Sequence, residues 1–144
     1  MDAVDRALYA KLSGDATLAA LCTDGVVSGQ IFNGQPPQGT APAYLTFSEE
    51  SGADTSTWTR RAAVDLTYML KAVTRKGPAV DHISAAKAIR ERADTLVTDT
   101  AFTVNGWKVG RHRRASLFSY EENDGGVIYF HAGFRWRVRL IPLS

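Results

Sequence analysis

From Ile128 to Leu140 every even position is apolar, namely Ile128, Phe130, Ala132, Phe134, Trp136, Val138 and Leu140, while the odd positions carry Tyr129, His131, Arg135, Arg137 and Arg139. Successive side chains on a β-strand point to opposite faces, so this alternation specifies a strand with one buried and one polar side. The apolar parity is the same on both sides of Gly133, which argues against a one-residue bulge there. At ~3.3 Å per residue the stretch spans about 45 Å, against a radius of gyration near ~14–15 Å for a compact domain of this length. Such a strand is as long as its domain and must bend, break or project.

The rest of the chain supplies partners for it. Val4, Leu8 and Leu12, with Ala7 on the same side, predict an amphipathic helix from Asp2 that Ser13 and Gly14 end. Asp15 is an N-cap for a second, short helix carrying Leu18 and Leu21. A strand is expected over "VVSGQIF". The stretch Asn33 to Ala43, with three prolines and two glycines, is a loop. "AYLTFSEE" alternates, as does the run from Arg61 to Ala72, and "SGADTSTWT" between them reads as a mobile hairpin loop, polar apart from Trp58. A third helix is expected to begin at Pro78, with Asp81 in its first turn and an apolar stripe of Ile83, Ala86, Ile89, Ala93 and Leu96. "AFTV", an Asn105-Gly106 turn, "WKVGRHRRASLFSYE", a turn at "NDGG" and the alternating strand complete the chain.

The order is therefore α-α-β-β-β-α-β-β-β. It predicts a single α+β domain over residues 1–144, a mostly antiparallel sheet with helices packed on one face. With 44% hydrophobic and 22% charged residues the composition is globular, and a chain of 144 residues is long enough for a core of its own. A net charge of +2 permits contact with nucleic acid or an acidic partner without arguing for one. Cys22, the one cysteine, excludes an intramolecular disulfide and a multi-cysteine zinc site, and is most simply a buried small residue. The acidic, helical start does not read as a signal peptide, and no apolar run approaches the ~20 residues needed to span a bilayer, so a cytoplasmic protein without membrane association is expected.

The motifs of catalysis are missing from the sequence. It has no G-x-S-x-G elbow, no phosphate-binding loop and no H-E-x-x-H helix. His82, His112 and His131 lack metal-ligand spacing, and the couplets Glu49-Glu50 and Glu121-Glu122 point to opposite faces of their strands. The expectation is a protein that is not an enzyme, with no catalytic residue, no metal and no cofactor. Two readings of Arg135, Arg137 and Arg139 stay open: a solvated face with cross-strand partners such as Asp65, or an intersubunit surface, to which arginine is suited by bidentate pairing with carboxylates. "RHRR", which places Arg111, Arg113 and Arg114 in or near a strand, reads as a solvated hairpin end or a contact for a protein partner. A small nucleic-acid-binding module is the remaining alternative.

Several segments together resemble one family. "ALYAKLSGDATLAALCTDGVVSGQIFNGQPPQGTAPAYLTF", "HISAAKAIRERADTL", "GWKV" and "EENDGGVIYFHAGFRWRV" are similar, in this order, to the tail-completion or tail-terminator proteins of long-tailed phages, prophages and gene transfer particles. The resemblance covers nearly the whole chain. It implies a structural virion protein that forms a ring, commonly of six subunits, on the head-proximal end of the tail tube. Such a ring stops tube polymerisation and joins the tail to the head connector, with DNA passing through it without specific binding. It also implies assembly in the bacterial cytoplasm and a final place in the neck of the particle. A neighbouring head-completion or connector component is the alternative. On this view Trp58, Arg60, Arg61, Arg111, Arg113, Arg114, Arg135, Arg137 and Arg139 are the expected subunit and partner contacts, with Trp58 as the anchor in an otherwise polar loop.

Overall fold

The last strand, β5 (Val127–Pro142), lies inside the sheet with a neighbour on each side along almost its whole length. The structure, a computed structural model, describes residues 1–56, 61–78 and 81–143. In chain order the elements are α1 (Asp2–Ser13), α2 (Ala16–Leu21), β1 (Ile31–Asn33), β2 (Tyr44–Ser56), β3 (Arg61–Arg75), α3 (His82–Asp94), a π-helical turn (Thr95–Asp99), β4 (Trp107–Asp124) and β5. The five strands form one sheet in the order β1-β2-β3-β5-β4, antiparallel except for the β1–β2 pair. This is the α+β architecture expected, with its helices on one face.

Alternation in β5 builds the core. Phe134, Trp136 and Leu140 are wholly buried, and they share their face with Leu66, Tyr68 and Leu70 of β3, onto which the helices bring Val4, Leu8, Leu12, Ala86 and Ile89. Asp15 caps α2 by accepting from the Leu18 amide at 2.9 Å, and its carboxylate also takes Arg92 of α3 in a two-pronged pair at 2.7 and 2.9 Å. That pair holds the Asp15 carboxyl below its ordinary value. Cys22 is buried, and burial pushes its thiol up to about 12.

Trp136 is the keystone of this face. Its ring meets Phe102 edge-on at 5.0 Å and Tyr68 at 6.3 Å between centroids, and its indole N–H donates to the Val97 carbonyl at 3.2 Å. Val97 lies in the π-helical turn, where the chain is leaving the helix and its last carbonyls have no partner further along. His112 Nδ1 lies 2.9 Å from the same oxygen.

Several local expectations are corrected. "VVSGQIF" is strand only from Ile31, and Val26 and Val27 are exposed, because the Asp24 carboxylate accepts from both of their amides and holds a turn there. The expected loop after Glu50 is strand as far as Ser56; a register shift between Glu49 and Ser51 lets small residues continue the ladder. Pro78 precedes the third helix instead of opening it, since Asp81 is the N-cap and accepts from the Ser84 amide at 3.1 Å. "AFTV" contributes a single bridge, Val104 to Trp107, although Phe102 and Val104 are buried; their alternation reports burial under Trp136 and not a sixth full strand. β5 runs straight through Gly133 in unbroken register with β3, and the irregularities fall on β4, at Val109/His112 and Arg114/Ser116.

Replacing Trp136 by alanine removes a fully buried ring together with the donor to Val97, and an aromatic deletion of this kind costs about 3–5 kcal/mol from a total of about 5–15 kcal/mol. Denaturant unfolding followed by circular dichroism should show the midpoint fall accordingly. A loss below about 1 kcal/mol would mean that Trp136 is not the centre of this core.

Candidate functional site

The helices all lie on the even side of β5; on the opposite face the Gly34–Thr40 loop borders Tyr44, Thr46, Lys71 and Val73 at one end, and no described helix covers the rest. Registers across β2, β3, β5 and β4 define the rows of that face: Tyr44, Val73, His131 and Tyr120; then Thr46, Lys71, Gly133 and Phe118; then Ser48, Met69, Arg135 and Ser116; then Ser51, Thr67, Arg137 and Arg113; and Ala53, Asp65 and Arg139 with Arg111 beside them. The face has an aromatic end and a cationic end.

At the cationic end, Arg111, Arg113, Arg137 and Arg139 surround a shallow depression floored by Ser51, Gly52, Ala53 and Thr67. Arg139 makes a bidentate pair with Asp65, both contacts at 2.9 Å, which is the cross-strand partnership the sequence suggested. Arg135, two rows from Arg139 toward the aromatic end, donates to Glu50 at 2.9 Å and lies over the Phe118 ring at 5.4 Å. Arg113 and Arg137 are direct cross-strand neighbours, and neither they nor Arg111 has an ion pair among the described residues. Like charges placed opposite one another in a sheet destabilise it, so folding gains nothing from this pairing.

The "RHRR" run divides between the two faces. Arg111 and Arg113 join the depression, whereas Arg114 turns to the helix side and donates to Asp94 at 2.7 Å, and His112 lies against Val97. The arrangement thus assigns Arg114 a contact within its own chain. Trp58 and Arg60 lie outside the described residues, and Arg61 is placed only as the first residue of β3, opposite Ser56.

The aromatic end was not anticipated in this form. His131 is buried, stacked on Tyr120 at 4.5 Å and an interplanar angle of 9°, with Nε2 3.0 Å from Glu122 Oε1. Desolvation lowers its pKa against the opposing pull of Glu122. Burial, with the neighbouring Tyr129, Glu122 and Tyr120, raises that of Tyr44. Gly133 is required between the two ends: a Cβ there would sit 2.5 Å from the Phe118 ring and 2.4 Å from the Leu70 carbonyl oxygen. Parity alone puts Tyr129 and His131 on this face; Glu50 was hidden by the register shift beside it, which no spacing rule reveals.

Chemically, the cationic end offers planar donors for carboxylate or phosphate. No group of His, Cys, Asp or Glu among the described residues could hold a metal ion. No described helix is long and apolar enough to cross a membrane.

Arg139 is exposed and Asp65 half-exposed, so solvent screens their pair and Asp65→Asn should lower stability only slightly at neutral pH. Arg139 holds the Asp65 carboxyl below its ordinary value, so the contribution is present above that ordinary value and is lost as pH falls through the lowered one. Urea unfolding of wild type and D65N should therefore differ slightly at pH 7 and converge in strong acid; a gap that widened on acidification would rule this pairing out.

Comparison with known proteins bears on nearly the whole chain. The family model described as tail completion protein gp17 matches residues 6–139. Among solved structures, a chain titled as part of the virion of a native gene transfer agent particle is similar in fold, with a TM-score of 0.70 at 20% identity over 94% of each chain. No curated protein sequence matches.

Proposed function

Because the chain belongs to the tail completion protein gp17 family, we propose that it works as a ring-forming subunit at the head-proximal end of a phage-like tail, where it halts tube growth and presents a surface to the head connector. The family makes it a structural protein of a tail, and no catalytic role is needed. The observation that carries the finer reading is the cationic end of the sheet face, on which Arg111, Arg113 and Arg137 stand exposed and without an ion pair among the described residues. A ring subunit must offer each neighbour a surface, and arginines without an ion pair among the described residues fit that need.

The partners on this reading are further copies of the chain, in a ring of six, the tail-tube protein on one side and the connector on the other. DNA has to pass through such a ring. A lumen lined with unpaired arginine would hold phosphate and slow the passage, so the arginine face is turned toward protein and not toward the channel. Assembly takes place in the bacterial cytoplasm, and the protein ends in the neck of the particle.

The test is a particle lacking this chain. Without it, tails should grow to uncontrolled lengths and remain unjoined to filled heads, and complementation should restore one tail length, both scored by electron microscopy. Tails of normal length that merely fail to join heads would favour a head-side connector component. Normal particles would exclude any role in tail completion.

A further inference from the structure

We propose that one copy of this chain binds the next through the two ends of β4, the acidic tip of the β4–β5 hairpin seating in the neighbour's Arg111–Arg113–Arg137 depression. The inference rests on the ring reading above and names the segment that meets the arginines.

β4 is a free edge of the sheet, and its charges are segregated along its length. Residues 107–114 contain Lys108, Arg111, Arg113 and Arg114 and no acid; residues 115–124 contain Glu121, Glu122 and Asp124 and no cation. Arg113 and Glu122 are nine positions apart, roughly 30 Å along an extended strand, so the two sets cannot neutralise each other within one chain. Arg114 is neutralised locally by Asp94, but Arg111 and Arg113 have no ion pair among the described residues. Glu121 and Asp124 have no ion pair among the described residues, and Glu122 meets only His131. Lys71 and Arg75 of β3 are separated from this edge by β5.

Shape agrees with charge. The tip is narrow, turning through Gly125 and Gly126, both at positive φ, with the Gly126 amide donating to the Asn123 side chain. The depression it would enter is floored by the small residues Ser51, Gly52 and Ala53. Arginine side chains at its rim can each take a carboxylate through two parallel N–H donors. Tip and depression are different surfaces at opposite ends of one strand, so the contact is heterologous, and repeating it closes a ring when the rotation per subunit allows. The same polarity would let two β4 edges pair antiparallel, but that contact uses up both copies and stops at a dimer.

A charge swap tests this directly. One variant carries Arg113→Glu and Arg137→Glu, a second carries Glu121→Lys and Asp124→Lys, and a third carries all four changes. Assembly is measured by sedimentation velocity, alone and on purified tail tubes, with thermal unfolding as the control for folding. Like charges brought together at an interface weaken it strongly, so each two-residue variant should stay a folded monomer at concentrations on the order of 100-fold above those at which wild type assembles. The four-residue variant, and an equimolar mixture of the first two, should assemble again. Reversed variants that assemble like wild type, or a folded four-residue variant that stays monomeric, would overturn the contact while leaving wild-type tail closure, and hence the functional reading, standing. A wild type that stops at a dimer also overturns it. So does a first variant that keeps its rings and loses only salt-dependent affinity for a single-stranded oligonucleotide. Wild-type protein that neither assembles nor closes tails would remove both the contact and the reading beneath it.

Discussion

Strict alternation in β5 constrains everything else in this fold. Phe134, Trp136, Val138 and Leu140 must all reach the helices, and a slip of one residue would send every one of them to the opposite face. Because β5 pairs with β3 on one side and β4 on the other, its register sets those of both neighbours. The helix-side demand is met by Trp136, which ties β5 to Phe102 and to the carbonyl left over by the π-helical turn. Burying one set of side chains in this way fixes the intervening set, Arg135, Arg137 and Arg139, exposed on the face away from the helices.

That second face is organised, but not for stability alone. Arg135 and Arg139 have carboxylate partners in Glu50 and Asp65, both in exposed pairs of small net value. Arg113 and Arg137 face each other across the ladder with no such partner among the described residues, an arrangement that costs the isolated chain energy. The aromatic end differs: Tyr120 covers His131, and Phe118 occupies the space that only a glycine at 133 leaves open. The aromatic end is thus filled by its own side chains beside the Gly34–Thr40 loop, and the cationic end keeps its charges available.

Much of this was legible in the sequence wherever one physical demand dominated. The buried faces of α1 and β5, the Asp15 cap and the partnership of Arg139 with Asp65 follow from period and charge. What escaped was decided by competing local bonds or by tertiary context. Asp24 captures the amides of Val26 and Val27, so two β-formers end exposed in a turn. Phe102 and Val104 alternate as strand residues do, yet they serve as a plug against Trp136. Small polar residues after Glu50 read as a loop because a strand face with nothing packed on it needs no apolar pattern. Within "RHRR", a general division between faces could be foreseen, but the irregularities of β4 decided that Arg111 and Arg113 share the depression while Arg114 goes to Asp94.

The account turns on arginines that are open on the single chain and covered in the tail. Modification by phenylglyoxal, read by peptide mass spectrometry, measures this directly when the free subunit and the assembled particle are compared. Arg6, exposed on α1 and paired only with Asp2, provides an internal reference away from the sheet. Arg111, Arg113 and Arg137 should react readily in the free protein and be protected several-fold in the particle relative to Arg6. Equal modification of these three in both states would show that the face stays bare after assembly, and the proposed contact surface would have to be sought elsewhere.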